Sequence, residues 1–457
     1  MISLLEIAER TQKGRKMPED AWNMSLFQKI QELAKKYDIP KYTADMPFLN
    51  LDDGLADRAF RAGLDLITEH GVYCTTTGRV LEFAGEEVEG AIRESPAELP
   101  VGRGPDARVI KQREIAGKEP LNVCPGHHSP FSEDLAPLVV KNFAQIPRAD
   151  FIEGFNFVNV DGREIQGEPL EVYATRRQIG WMREGVRKAG RPGLAIVLYP
   201  INTGAVTLMS VLEPISGLQP GDGLLTSVLP DEKIEHDMLA AAIASQQCGV
   251  WRVSSSFSML GGFCGGEDGA IIEGVAKALT AMICYRVYVN CTGVEHIRTA
   301  KGSATHPQPL SWARSVVNQA LNRHSNIICM AWIASSSGPG TELNLLETAA
   351  RAIEAVANGA NLYAPRHLTP RMNAGQTPVQ PELMIEVADA VIRAGMGRDG
   401  AAETLGSLAR QLEGRDTERG YTIQECYDLV NHKPNSDFLQ IYLKVKDYLH
   451  TLGLDFD

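Results

Sequence analysis

Residues 326–364 read NIICMAWIASSSGPGTELNLLETAARAIEAVANGANLYA, and the texture of the stretch changes three times. Asn326 to Ile333 is an apolar run of strand length. Three serines and Gly338-Pro-Gly-Thr-Glu follow, a phrase that opens a helix. From Thr341 to Asn358, Leu343, Leu346, Ala349, Ala350, Ile353 and Val356 fall on one side at helical spacing. Gly359 is placed to end that helix in the left-handed conformation, and Ala360 to Ala364 is a second apolar run. Strand, helix and strand in succession are the unit of a parallel sheet.

The same texture extends backwards to about Pro120. Leu121 to Cys124, Phe151 to Val160, Leu194 to Tyr199, Gly223 to Leu229, Gly249 to Ser254 and Tyr285 to Cys291 read as strands, separated by amphipathic stretches, which with the two above makes eight. Eight alternations in about 250 residues predict a TIM (β/α)8 barrel of the α/β class. An open doubly wound sheet is the alternative, but no G-x-G-x-x-G follows a strand. Residues 20–100 are amphipathic and helical, with Leu26, Ile30 and Leu33 on one face and Phe60, Leu64 and Ile67 on another. A last helix, Phe438 to Leu452, carries a broad apolar stripe that must pack on something. The expected organisation is an N-terminal helical extension over 1–115, the barrel over 116–400 and a C-terminal helical segment over 401–457.

Composition narrows the function classes. The chain has 457 residues, 44% apolar and 22% charged, with a net charge of -12, so a basic nucleic-acid footprint is not expected. Leu194 to Leu212 is uncharged, yet Pro200, Asn202 and Gly204 make it a strand and loop rather than a membrane span. Without a cationic, apolar leader and with eight cysteines lacking any C-x-x-C pair, a cytoplasmic protein with reduced thiols is expected.

In a barrel of this kind chemistry sits where strands end, so the residues after each run are the candidates. The first run ends in Cys124-Pro-Gly-His-His, where His127 and His128 are read as substrate or loop contacts. Zinc ligation by Cys124, His127, His128 and Cys291 stays open, although no metal is the expectation. The second run offers Glu153, Asn156 and Asn159, and the third Tyr199 and Asn202. Arg252 and a run of hydroxyls follow the fifth, then Gly261-Gly-Phe-Cys-Gly-Gly, which suits a tight turn or a close ligand approach. The sixth supplies Glu295, His296 and Arg298, a carboxylate, an imidazole and a guanidinium able to handle a proton and an anion, or a salt-bridge cluster. Trp332, Tyr363 and Arg366 close the series. No nucleophile elbow, H-E-x-x-H or Walker loop is present.

Nine phrases, taken in order, carry a resemblance. They are Phe60-Arg-Ala-Gly-Leu, Gly71-Val-Tyr-Cys-Thr-Thr-Thr, Val101-Gly-Arg-Gly-Pro-Asp-Ala, Ser129-Pro-Phe-Ser-Glu-Asp, Ala189-Gly-Arg-Pro-Gly, Gly261-Gly-Phe-Cys-Gly-Gly, His296-Ile-Arg, Gly338-Pro-Gly-Thr-Glu and Ile423-Gln-Glu-Cys-Tyr-Asp. Together they resemble the monomethylamine:corrinoid protein methyltransferases of methylotrophic archaea. The resemblance implies a homo-oligomeric TIM barrel that moves a methyl group from a small-molecule donor to the cobalt of a corrinoid (cobalamin) carried by a partner protein, with no tightly bound cofactor of its own. In that family a pyrrolysine ring holds the amine as a covalent adduct.

The pyrrolysine position falls at Val197, give or take one, and valine cannot form the adduct. The glutamate of the family falls near Ser255, and its glutamine and tyrosine near Trp332 and Ala334. A barrel kept while its amine-handling residues are replaced implies a changed donor, and N-methyl or quaternary amines are expected. Trp332, Tyr199 and Tyr363 are then candidates for an aromatic cage around the cation, with Arg252, Arg298 or Arg366 for a carboxylate if the donor is a betaine. Glu295 and His296 are the candidate catalytic pair. A zinc-dependent methyltransferase of a thiol or alcohol, and a non-catalytic relative with Trp332 filling the mouth, are the alternatives.

Overall fold

A computed structural model of the chain describes residues 2–126, 130–200, 202–296, 308–367 and 375–456. Eight parallel strands form its centre: β1 (Val123–Cys124), β2 (Phe151–Glu153), β3 (Ala195–Leu198), β4 (Gly223–Leu225), β5 (Trp251–Ser254), β6 (Val289–Thr292), β7 (Ile328–Ser335) and β8 (Asn361–His367). Their order is β1-β8-β7-β6-β5-β4-β3-β2. The seam between β1 and β2 is bridged by Asp150 N–H donating to Val123 O at 2.9 Å and Glu153 N–H to Gly126 O at 3.4 Å. All eight expected strands are present, those read as Phe151 to Val160 and Gly223 to Leu229 ending early at Glu153 and Leu225, and their sequential order round to the seam excludes the doubly wound alternative.

Helices follow the strands in turn: α1 (Ala136–Ala144), α2 (Glu168–Lys188), α3 (Ala205–Val211), α4 (His236–Gln247), α5 (Glu267–Tyr285), α6 (Gln308–His324), α7 (Glu342–Ala357) and α8 (Val379–Arg393). The ends of α7 are those read from sequence. The Thr341 hydroxyl accepts from Asn344 N–H at 3.3 Å, and Gly359 stands at φ +74°. The C-terminal helix Ser436–Thr451 buries Phe438, Val445 and Leu449 and packs on α7.

Two further expectations are corrected. Tyr285 does not start a strand: it is the last residue of α5, because Arg286 at φ 55° turns the chain and β6 begins only at Val289. The N-terminal extension is not purely helical either. Arg15–Lys16, Arg79–Leu81, Val72–Cys74 and Lys233–Ile234 form a small sheet. The last strand comes from the β4–α4 loop, far along the chain, so local periodicity carried no sign of the pairing.

The extension also seals the barrel. Helix Asp53–Glu69 lies against α5, where a Cβ on Gly63 would come within 2.5 Å of Val275 Cγ1. A hairpin, Glu98–Val101 with Arg108–Lys111, inserts Val101 and Ile110 into the interior cluster at the N-terminal end of the strands. Gly102 and Arg103 donate to Gly221 O and Gly193 O, both at 2.8 Å. Beneath them the fully buried Asp222 accepts from Ile196 N–H at 3.1 Å, Gln219 N–H at 2.7 Å and the Arg183 guanidinium, with Arg103 at 3.3 Å.

Candidate functional site at the C-terminal mouth

Strand alternation decides which side chains reach the interior. On β3, Ala195 and Val197 face in while Ile196 and Leu198 pack outward under the helices, and Tyr199 continues the inward row. On β7 the inward row is Ile328, Met330, Trp332 and Ala334. Trp251 and Val253 face in on β5, so Arg252 faces out. Its guanidinium donates to Arg286 O at 3.3 Å and to Ala242 O and Val250 O at 3.4 Å, and burial pushes it down to about 10. Arg252 is therefore a structural arginine beneath α4, and its candidacy for a substrate carboxylate is withdrawn.

What remains converges at the C-terminal ends of the strands. Tyr363 on β8 is fully buried and donates its hydroxyl to Glu153 Oε1 at 2.7 Å, which fixes the carboxylate at the end of β2. Burial pushes the Tyr199 phenol up, reinforced by the charge of Glu153 and opposed by that of Arg366. Arg366 is pulled down by burial and held up by Tyr199, Glu153 and Glu295, so its positive charge and these acidic groups share one field. Trp332, 8% exposed, stacks on Phe257 at 5.0 Å, and Arg366 Cζ lies 4.4 Å over its ring. Asn156, Tyr199, Ser227, Ser255, Phe257 and Arg366 are partly exposed at this rim. Ser255 donates its N–H to Ser227 Oγ at 3.0 Å.

The aromatic cage expected of Trp332, Tyr199 and Tyr363 takes a different form. The protein's own Arg366 guanidinium already lies over the Trp332 ring, and Tyr363 is buried with its hydroxyl committed to Glu153. Of the three, Tyr199 alone is partly exposed.

Glu295 and His296 lie on a short strand, Val294–His296, parallel to Ser258–Leu260 above β5 and β6. Being adjacent in a strand they point to opposite faces, so they do not form a pair. Glu295 is buried in the wall, 3.6 Å from Arg314 of α6, while Arg314 and Arg351 both hold Glu354 of α7 at 2.8 and 2.6 Å. Burial pushes the Glu295 carboxyl up, and its Oε2 has no hydrogen-bond partner among the described residues. Glu295 thus belongs to a buried charge cluster with α6 and α7, whose arginines are not the Arg298 of its own loop. Arg298, His127 and His128 lie outside the described residues.

Cys124 and Cys291 do meet in the interior, but burial pushes both thiols well up and Cys124 Sγ donates to Gly126 O at 2.9 Å. That environment favours protonated thiols over zinc-ligating thiolates. Residues 261–265 form a turn closed on itself, with Gly261 N–H to Gly265 O at 2.9 Å and Gly265 at φ +84°. The serines after β7 are likewise tied internally, Ser336 and Ser337 donating to Glu347.

Sequence reasoning noted Glu153 without assigning it and missed Phe257. Glu153 was within reach of strand alternation, being two residues beyond the inward Phe151. Phe257 was not, because it follows the strand in an irregular segment.

An eight-stranded barrel of this kind has known counterparts. Over residues 2–454 the sequence matches the family model described as "Monomethylamine methyltransferase MtmB". The chain belongs to this family. Monomethylamine methyltransferase MtmB2 of Methanosarcina acetivorans is 27% identical over 98% of this chain and 97% of its own length. Monomethylamine methyltransferase MtmB of Methanosarcina mazei is 26% identical over the same shares. The crystal structure of the Methanosarcina barkeri monomethylamine methyltransferase superposes with a TM-score of 0.90 at 24% identity, covering 99% of this chain and 98% of that one. Membership makes the chain a methyltransferase.

Proposed function

We propose that this chain moves a methyl group from an N-methyl or quaternary amine to the cobalt of a corrinoid carried by a separate protein, and does so without pyrrolysine. The observation that carries the reading is the mouth itself. Val197 occupies the inward row of β3 beside Glu153, where the family's covalent amine holder is expected, and the neighbouring thiols are kept protonated by burial. No adduct with Val197 is chemically open, so the donor must bring its own leaving group.

A donor nitrogen that is already quaternary or protonated meets that need. In an in-line displacement the C–N electron pair departs with nitrogen as a neutral amine, and cobalt(I) supplies the pair for the new Co–C bond, becoming formally cobalt(III). No proton is required in the step. Glu153, fixed by Tyr363, supplies negative charge for the cationic nitrogen, and the apolar barrel interior beneath it strengthens that attraction by excluding water.

The test is spectrophotometric. Purified protein with cob(I)alamin is offered methylamine, N-methylated amines and quaternary amines, and formation of methylcobalamin is followed. Transfer from at least one N-methylated or quaternary donor, faster than from methylamine, is expected. Silence across the panel would sink the reading in favour of a non-catalytic relative.

A further inference from the structure

Arg366 is an exception among the arginines packed around the barrel. Arg314 and Arg351 donate to Glu354, Arg286 to Ile283 O at 2.8 Å, Arg113 to Gly117 O at 2.8 Å, and Arg252 to backbone carbonyls. Among the described residues the Arg366 guanidinium has no ion pair, only the face of Trp332 at 4.4 Å. The indole of Trp332 adds a second idle donor, a buried Nε1 with no acceptor among the described residues. A half-buried guanidinium without a counter-ion is costly, and a fold that keeps one at the rim of a barrel mouth presents a fork suited to a carboxylate.

The opposite charge lies across the same mouth. Glu153 acts on Arg366 through the field, is anchored by Tyr363 and ends β2, with β1 between it and β8. Ligand charges of both signs therefore have matching places, the cation toward Glu153 and Tyr199, the anion toward Arg366. The Trp332 ring, which already carries Arg366, serves to aim that guanidinium.

We infer that the methyl donor is a zwitterion, an N-methylated amino acid or betaine, whose carboxylate is held by Arg366 with Trp332 Nε1 as a second donor. The inference rests on the methyl-transfer reading above and narrows its substrate class. The balance is unchanged: the C–N bond breaks with its pair going to nitrogen, the Co–C bond forms, and the carboxylate leaves intact on the demethylated amino acid.

Binding and transfer are measured separately. Calorimetry on the corrinoid-free protein compares trimethylglycine and N-methylglycine with tetramethylammonium and methylammonium, and the same four are offered as donors to cob(I)alamin. The carboxylated compounds are expected to bind at least about tenfold more tightly than their counterparts. Arg366→Gln is expected to weaken them by about 10- to 100-fold, selectively, and Arg366→Lys by less, with circular dichroism confirming both folds.

Equal or tighter binding of tetramethylammonium, or a folded Arg366→Gln protein that keeps the preference, overturns the inference. Transfer from tetramethylammonium with none from either carboxylated donor also overturns it, and leaves the methyl-transfer reading standing. Arg366-dependent binding of the carboxylated compounds with no transfer from any donor overturns that reading instead, and the donor assignment with it.

Discussion

The two ends of the barrel solve opposite problems with similar residues. At the floor, Asp222 has no exposed surface and every charge near it is met: Arg183, Arg103 and two backbone N–H groups converge on one carboxylate. Asp106 does the same for Gly193 N–H at 3.0 Å and Arg191 at 3.4 Å. At the mouth, Arg366 has only an indole face, Trp332 Nε1 has no acceptor and Glu295 Oε2 no donor among the described residues. A satisfied buried network stabilises and specifies a fold, whereas unmet polar groups are retained at a cost that function has to justify. The contrast assigns stability to one end and chemistry to the other, as expected of TIM barrels.

The largest effect should therefore come from the floor. Asp222→Ala strands Arg183, Arg103 and the Ile196 and Gln219 N–H groups at once, and we expect a loss of about 3–5 kcal/mol in urea unfolding. A loss of less than about 1 kcal/mol would break the comparison, because the floor network would then be dispensable.

How much of this was legible in the sequence follows the same division. The βα alternation revealed all eight strands because each barrel strand pairs with neighbours of the same texture, and Thr341 and Gly359 marked the ends of α7 by their own chemistry. Val72–Cys74 was not recognised as a strand, because its partner Lys233–Ile234 lies in a loop whose apolar content is too small to announce itself. The phrases that carried the resemblance are largely architectural. Val101–Ala107 and Ala189–Gly193 build the floor, and Phe60–Leu64 packs through Gly63 on α5.

The mouth was only half legible. Val197 was reached through the resemblance and Trp332 through its place near a strand end, and both lie in the inward rows of β3 and β7. Strand alternation, applied to β5, would have turned Arg252 outward, and it separates Glu295 from His296. The stacking of Arg366 on Trp332 depends on an irregularity in the β7–β8 register between Trp332 and Ala334, which no one-dimensional pattern displays.

A smaller effect is expected where the two ends should differ most. Arg366→Gln removes a charge that has a cation–π contact but no ion pair, so its unfolding free energy should stay within about 1 kcal/mol of the parent, since the lost contact and the relieved burial oppose each other. A loss comparable to that of Asp222→Ala would mean that Arg366 is a structural charge like those of the floor.

The smallest effect should be a pH dependence from Glu295. Burial raises this carboxyl above its usual value, against the opposing pull of Arg314 and Arg351, with Glu354 adding to the rise and Arg366 opposing it. A raised folded-state pKa means that the folded protein holds the proton more tightly than the unfolded chain. Stability drawn from this group is thus complete below the unfolded carboxyl value and declines as pH rises through the folded one. Glu295→Gln cannot ionise but keeps an acceptor for Arg314, so the variant should gain on the parent as unfolding is followed from pH 4 to pH 8. A gap that is flat, or that moves the other way, would show that Arg314 and Arg351 hold Glu295 ionised throughout. The wall of the mouth would then be as fully compensated as the floor, and Arg366 with the Trp332 indole would mark this end as different.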